Sequence, residues 1–265
     1  MTSKTEQTIS GSTSTSTSVG RRSYQEDRYV YEELAFGYLL AVFDGHSGAT
    51  VADMASKNLS EIFSTEFKQW QAIGTDNYET LLRSVTATLD ELVKAEKSGS
   101  TMSLVFIPKK SGVSSAWVAV IGDSPVVITD ASGKIFIGPE HNVRTNLIER
   151  RAAEVRGGFY SGGYIWNPDT EQGLQMGRDL GNRINFGSIL SHEPDVMEVK
   201  LGEDSIILIT SDGVFDPSHT EDTLAEAGRF IDMVRKGNEA KDLVNDALSR
   251  QTGDNATAIV WRAKK

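Results

Sequence analysis

The sequence predicts an α+β fold, a four-layer α-β-β-α sandwich in which a central pair of mostly antiparallel sheets carries helices on its outer faces. Three observations predict it. Short apolar segments of strand length recur from residue 29 to residue 261, with Gly, Ser, Lys and Asp between many of them. Two sets of amphipathic helical segments are separated by several such strands. Strands and helices do not alternate one for one, which argues against a doubly wound parallel sheet.

Residues 1–8 read as a disordered tail and residues 9–265 as one domain, near the upper size that a single core spans. The Ser/Thr-rich stretch 9–18 stays open between flexible tail and edge strand, because Thr is polar but also β-branched. Residues 29–36 and 37–43 have the composition of two strands of a hairpin. Val51, Met54, Ala55, Leu59, Ile62, Phe63 and Phe67 recur mostly at intervals of three and four, and Leu81, Leu82, Val85, Leu89 and Leu92 do the same. That spacing puts one apolar face on each of two helices. Strand signals return at 102–107, 116–121, 126–129 and 135–137. A short helix is expected over 146–155, and the Gly-rich stretch 157–173 is expected to be a surface loop or flap. Strands at 196–201 and 205–210, helices near 221–235 and 240–248, and a last strand at 256–261 complete the pattern.

Composition narrows the function. The 37 acidic and 27 basic side chains leave a formal charge of −10, which gives no broad attraction to nucleic acid or anionic lipid. There is no cysteine, so disulfides, thiolate zinc sites and cysteine nucleophiles are excluded. The opening residues lack the basic and apolar regions of a secretory signal, and no apolar run approaches the length of a membrane span. A cytoplasmic protein is the expectation, a monomer is favoured, and no nucleic-acid or membrane partner is expected.

The acidic residues fall at strand ends. Glu26 and Asp27 enter one strand; Asp44 follows the apolar run 38–43; Asp123 follows 116–121; Asp212 follows 205–210; Asp254 precedes 256–261. A carboxylate at the end of a buried strand loses hydration unless a cation or hydrogen bonds compensate. A shared site for hard, oxygen-preferring divalent cations is the economical explanation. Each Asp-Gly pair alone is ordinary turn chemistry; it is the recurrence that points to a centre.

The motifs Gly20-Arg-Arg22-Ser-Tyr-Gln-Glu26-Asp27, Val42-Phe-Asp44-Gly45-His46-Ser-Gly48, Gly99-Ser-Thr101, Gly122-Asp123-Ser124, Arg178-Asp-Leu-Gly181, Thr210-Ser-Asp212-Gly213-Val-Phe-Asp216 and Asp254-Asn255-Ala-Thr257 follow one another in that order. In this the chain resembles the PP2C-like metal-dependent protein serine/threonine phosphatases from Gly20 to Val260. The resemblance implies two divalent ions, Mn²⁺ or Mg²⁺, with Asp44 bridging them. It implies Glu26 and the Gly45 carbonyl on one ion, Asp212 and Asp254 on the other, and Asp123 at a weaker third-metal site. Asp27, Asp216 and Asn255 would support those ligands, Arg22 would bind the phosphate of a phosphorylated protein or peptide, and a water bridging the ions would attack phosphorus.

The leaving alkoxide needs a proton, and His46 is the candidate donor, since histidine exchanges protons readily near neutrality. His141, His192 and His219 lack a comparable context and are read as surface or structural. Because successive side chains of an extended segment point to opposite faces, Glu26 is expected toward the metals and Asp27 toward the supporting groups. Tyr160, Tyr164 and Trp166 in the flap-like interval are candidates for substrate selection.

The chain departs from the family pattern at Ser47, Pro125, Glu140, Gly177 and Asn182, where Gly, Arg, Asp, Ser and Asp are usual. Ser47 is acceptable if its backbone is not left-handed. Two other readings stay open: a catalytically weak phosphatase-fold module that binds phosphoproteins, and a small-molecule phosphomonoesterase.

Overall fold

Burial on both faces decides most of the strands. The computed structural model describes residues 9–110, 114–215 and 223–264. Its first half runs β1 (Ser10–Ser18), β2 (Arg28–Leu34), β3 (Gly37–Phe43), β4 (Gly45–His46), α1 (Thr50–Ile73), α2 (Tyr78–Val93), β5 (Gly99–Ser100), β6 (Met102–Pro108), β7 (Ser115–Ile121), β8 (Val126–Thr129) and β9 (Ile135–Ile137). Next come α3 (Leu147–Val155), β10 (Phe159–Ser161), β11 (Tyr164–Asn167), β12 (Gln172–Leu174), β13 (Leu180–Gly181) and α4 (Arg183–Phe186). The chain closes with β14 (Asp195–Lys200), β15 (Ile206–Thr210), α5 (Asp212–Phe215), α6 (Thr223–Arg235), α7 (Ala240–Ser249) and β16 (Ala256–Lys264).

Two five-stranded sheets, ordered β1-β16-β15-β8-β9 and β14-β7-β6-β3-β2, form the centre. All their pairings are antiparallel. The alternation of a pleated strand explains the layers. Along β3, Tyr38, Leu40 and Val42 pack with Ile207, Ile209, Ile259 and Trp261 of the opposite sheet. Leu39, Ala41 and Phe43 face the other way, into a core with α1 and α2. Leu208, Ala258 and Val260 of the second sheet likewise meet α6 and α7. A strand buried on both faces reads as a continuous apolar run, and β3, β6 and β8 are buried throughout. The α-β-β-α order expected from sequence is the order found.

The open stretch 9–18 is settled by pairing. β1 runs antiparallel to β16 from Ser10↔Lys264 to Ser18↔Ala256, so the Thr-rich segment is an edge strand. The tail predicted over 1–8 lies outside the described residues.

The interval 157–173 differs from the loop expected. β10, β11 and β12 form a three-stranded antiparallel sheet of their own, with Gly162 and Gly163 at φ 60° and 92° in the two-residue turn. Both φ values are positive, the conformation that closes tight hairpins and that glycine adopts without steric cost. Ile165 packs into a small core with Val143, Ala153, Phe186, Ile189 and Leu190. A third, smaller sheet, β13-β5-β4, has only two-residue strands, and it carries part of the site.

Candidate active site

Asp44 stands where β3 leaves the sheets. Its backbone N–H donates to Thr101 Oγ1 at 3.0 Å, and its carbonyl accepts the Thr101 N–H at 2.9 Å. Thr101 Oγ1 in turn lies 2.7 Å from Ser124 Oγ. The Gly99-Ser-Thr101 and Gly122-Asp123-Ser124 motifs thus form one buried hydroxyl chain that fixes the Asp44 backbone.

Asp212 begins α5 at the end of β15. The preceding residue, Ser211, donates its hydroxyl to Asp27 Oδ2 at 2.8 Å and accepts the Thr257 N–H at 3.0 Å. Asp254, just before β16, accepts the Asn255 N–H at 2.7 Å. Its other oxygen takes Arg22 Nη2 at 2.6 Å, while Arg22 Nε donates to the Gly253 carbonyl at 3.1 Å. Asn255 straps down the loop before β2: Oδ1 accepts the Glu26 N–H at 2.7 Å, and Nδ2 donates to the carbonyls of Val19 and Tyr24 at 2.9 and 3.0 Å.

Electrostatics shows that these carboxylates meet. Burial, followed by repulsion from Asp27, Asp212, Asp254 and Asp123, pushes the Asp44 carboxyl well above its ordinary range. Asp212 is raised in the same way by burial and then by Asp123, Asp254 and Asp27, with a hydrogen bond shared with Asp44 partly offsetting the rise. Burial lifts Asp27 to about 6 against hydrogen bonds from Thr257 and Ser211, and burial also raises Asp123. Buried carboxylates that repel one another favour protonation or a cation. The donor set is entirely oxygen, and Asp27 Oδ1 is a buried acceptor without a hydrogen-bond partner. Such a set fits hard divalent ions. Among the described residues the carboxylates converge without closing into a group of three that would hold an ion outright.

Glu26 lies beside this cluster. Its Oε1 accepts the Gly48 N–H at 2.6 Å, and its main chain packs against Gly45, where a Cβ would come within 2.7 Å of the Glu26 carbonyl. Asp27, expected on the supporting side, is the carboxylate that presses most strongly on Asp44. Glu26 and Asp27 are both buried and precede β2, so the alternation of an extended strand does not govern them. Asp216 and His219 lie outside the described residues.

His46 sits in β4, paired with Gly99 of β5. Its Nε2 is 3.2 Å from Asp179 Oδ2, its charge bears on Asp123, and its Nδ1 is buried without a hydrogen-bond partner. Ser47 adopts φ 59°, so the condition under which serine would replace glycine freely is not met, and a residue with a Cβ carries strain of about 1–2 kcal/mol there. Asn182 is also left-handed at φ 58°, which Asn tolerates better than most side chains.

A pocket lined in part by Asp123, Pro125, Asn142, Asp212 and Phe215 opens beside the cluster. Pro125 lacks an N–H, but its carbonyl accepts the Thr210 N–H at 3.1 Å, so the substitution keeps the link from β8 to β15. Asn142 ties the segment before α3 to the site: Nδ2 donates to Asp123 Oδ2 at 2.9 Å and Oδ1 accepts the Arg144 N–H at 2.9 Å. In the flap, Tyr160 lies under the Arg150 guanidinium at 3.8 Å and packs against the small core. Tyr164 is exposed and stands 5.9 Å from the Trp166 ring.

Sequence reasoning missed Asp179, Thr101 as a hydroxyl anchor, Asn142 and His141. His141 is buried, accepts the Gly122 N–H at 3.0 Å through Nδ1 and lies 3.2 Å from Asp195 through Nε2. A signal for His141 was available in its place directly before Asn142, two short strands beyond Gly122-Asp123.

A model of the Protein phosphatase 2C family matches residues 6–256. The chain is 27% identical over 226 residues to "Probable protein phosphatase 2C 9" of Arabidopsis thaliana, an overlap of 84% of this chain and 76% of that one. Among solved structures, a serine-threonine phosphatase 2C from Toxoplasma gondii shares the fold with a TM-score of 0.76 at 20% identity, over 96% of this chain and 95% of that one. A C. elegans sex determining protein does so with a TM-score of 0.75 at 22% identity, over 95% of this chain and 64% of that one. The chain belongs to the Protein phosphatase 2C family. No helix among the described residues is long and apolar enough to cross a membrane.

Proposed function

We propose that the protein hydrolyses phosphoserine and phosphothreonine in phosphorylated proteins, with two divalent cations, Mn²⁺ or Mg²⁺, in the acidic centre. The observation that carries this reading is Asp44: a deeply set carboxyl pressed by four others, with an arginine 2.6 Å from one of them. Asp44, Asp212 and Asp254, with Glu26 and the Gly45 carbonyl beside them, would hold the cations, and Asp123 is the candidate for a weaker third ion. Bound there, the cations would supply an attacking water of lowered pKa and neutralise charge on the phosphoryl oxygens.

The chain's own residues do the rest. Arg22 binds phosphate oxygens through a planar pair of N–H groups that lysine cannot reproduce. Asn255 and Thr101 hold the main chain of Glu26 and Asp44 so that the carboxylates keep their places. His46 donates a proton to the departing serine or threonine oxygen. Exposed Tyr164 and half-buried Trp166 offer a surface for residues flanking the phosphate, whereas Tyr160 serves the packing of the flap.

The test is phosphate release from phosphoserine and phosphothreonine peptides with Mn²⁺, with Mg²⁺ and with a chelator. Release that depends on the cation and is lost in Asp44→Asn and Asp212→Asn supports the reading. Cation-independent release, or turnover unchanged in those variants, contradicts it.

A further inference from the structure

The pocket beside the acidic centre has a lining of two kinds. Asp123 and Asp212 supply carboxylates, and Pro125, Ile137, Pro139 and Phe215 supply carbon surface. The two carboxylates also belong to the cluster that presses on Asp44, so the pocket is continuous with the place where the phosphate of a substrate would sit. Its volume is about 100 Å³. An apolar cavity of about 150 Å³ takes a benzene ring, so this space suits a branched aliphatic side chain and is small for an aromatic one.

The walls are held in place by the fold itself. Phe215 is buried and packs on Phe230 of α6, ring centres 5.6 Å apart, and Ile137 packs partly on the same core. The segment that follows β9 is fastened at both ends to residues 122–126: the Gly138 N–H donates to the Val126 carbonyl at 2.8 Å, and the His141 N–H to the Gly122 carbonyl at 3.0 Å. Polar groups nearby are engaged with one another, since Asn142 Nδ2 donates to Asp123 Oδ2 and Glu140 Oε1 accepts the Thr145 hydroxyl at 2.9 Å. A pocket already ordered in this way binds without the entropy cost of shaping itself.

Position 125 sets the character of the lining. Where Arg is usual in the family, this chain has Pro125, which keeps its carbonyl link to the Thr210 N–H but puts a short carbon ring in place of a long cation. The space beside the carboxylates is thereby left to a neutral group.

We propose that this pocket is a substrate subsite that selects phosphopeptides carrying a branched aliphatic residue, Leu, Ile or Val, directly next to the phosphoserine. The inference rests on the reading of the acidic centre as the phosphate-hydrolysing site. Adjacent residues of a chain are about 3.8 Å apart at Cα, so a side chain beside the phosphoserine is within reach of a pocket whose wall includes Asp212. Burying the aliphatic group withdraws carbon surface from water. A carboxylate in the same place would lose hydration beside Asp123 and Glu140.

Peptides that differ only at the two residues flanking phosphoserine test this, with p-nitrophenyl phosphate, which has no flanking residue, as the reference for folding and cation loading. One missing carbon group in an apolar pocket changes specificity about 10- to 200-fold. With Mn²⁺, kcat/KM for a peptide with Leu at one of the two positions should therefore exceed that of its Ala counterpart at least about tenfold, with Phe below Leu and Asp lowest. In Pro125→Arg the longer side chain occupies the pocket, and the Leu-to-Ala ratio should fall toward one. Ile137→Ala enlarges the pocket, and Phe should overtake Leu.

Cation-dependent hydrolysis with no Leu preference at either position, or with a preference for Lys or Asp, overturns the subsite and leaves the reading of the centre standing. A Leu preference that either folded variant keeps unchanged belongs to another surface, such as the flap, and overturns the subsite as well. If neither the peptides nor p-nitrophenyl phosphate are hydrolysed with Mn²⁺ or Mg²⁺, the reading of the centre falls and the inference with it. Should Pro125→Arg fail to fold, Ile137→Ala decides alone, and a Leu optimum that stays in place there overturns the proposal.

Discussion

Replacing Asp27 with Asn should stabilise the metal-free protein at alkaline pH, against the usual cost of altering a buried polar residue. Asp27 is 3% exposed, and burial lifts its carboxyl from 3.8 to about 6. A raised folded-state pKa means that the folded protein binds the extra proton, so stability falls as pH climbs from the unfolded value through the folded one. The full cost above that window is about 3 kcal/mol, from a shift of roughly two units at 1.36 kcal/mol each. Asn cannot ionise, and its carbonyl still accepts the Ser211 hydroxyl. At pH 8 with chelator, the variant should therefore melt higher than wild type by up to about 6–12 °C, at roughly 2–4 °C per kcal/mol for a chain of this size. By pH 5 about half of that advantage should be gone, because wild-type Asp27 has then taken up its proton in the folded state. Differential scanning calorimetry at the two pH values is the assay. An Asn variant that melts lower than wild type at pH 8, or by an equal margin at both, would refute the electrostatic account of the cluster.

Thr101→Val removes a buried acceptor of the Asp44 N–H and should cost about 1–3 kcal/mol of stability, with a fall in peptide turnover; thermal melts and phosphate release read the two together. Phe106 is fully buried among Phe36, Phe63, Phe67 and Tyr78, so Phe106→Ala should cost about 3–5 kcal/mol in urea unfolding. The Asp195 carboxyl is held down to about 2, first by its hydrogen bond with His141 and, against partial burial, also by Arg178. Its stabilisation is complete above the ordinary Asp range and is lost as pH falls toward 2, so Asp195→Asn should flatten the acid limb of a stability profile. Trp166→Ala should change kcat/KM several-fold between phosphopeptides of different flanking sequence while sparing p-nitrophenyl phosphate, and an equal change on all substrates would remove the flap from substrate selection.

Much of this architecture was legible because its strands are buried on two faces. Residues 37–43 and 102–107 can only be read as apolar runs, and the helices at 51–67 and 81–92 announce themselves through three-and-four spacing. The acidic residues were visible as strand-end punctuation, and the fold delivers Asp44, Asp123, Asp212 and Asp254 to one place. What remained hidden depends on contacts between residues far apart in sequence. The order β1-β16-β15 is set by pairing across the whole chain, which no local period records. The two-residue strands of β4, β5 and β13 are too short for any pattern, although they bring His46, Gly99 and Asp179 together. The stretch expected as a surface loop or flap folds as a small sheet whose strands have only three or four residues, too short to show a period. Gly162-Gly163 between Phe-Tyr-Ser and Tyr-Ile-Trp was the hairpin signal available. Glu26 and Asp27 precede β2, so strand alternation bears only weakly on which way each side chain points.

The central claim is that this cluster holds a pair of divalent cations, and calorimetric titration of the chelator-treated protein with Mn²⁺ tests it most directly. Two ions per chain should bind in the wild type, with a weaker third only at high Mn²⁺, and Asp44→Asn should abolish the pair because it removes the carboxylate shared by both. A wild-type chain that binds no Mn²⁺, or an Asp44→Asn variant that binds two ions with wild-type affinity, would contradict the account.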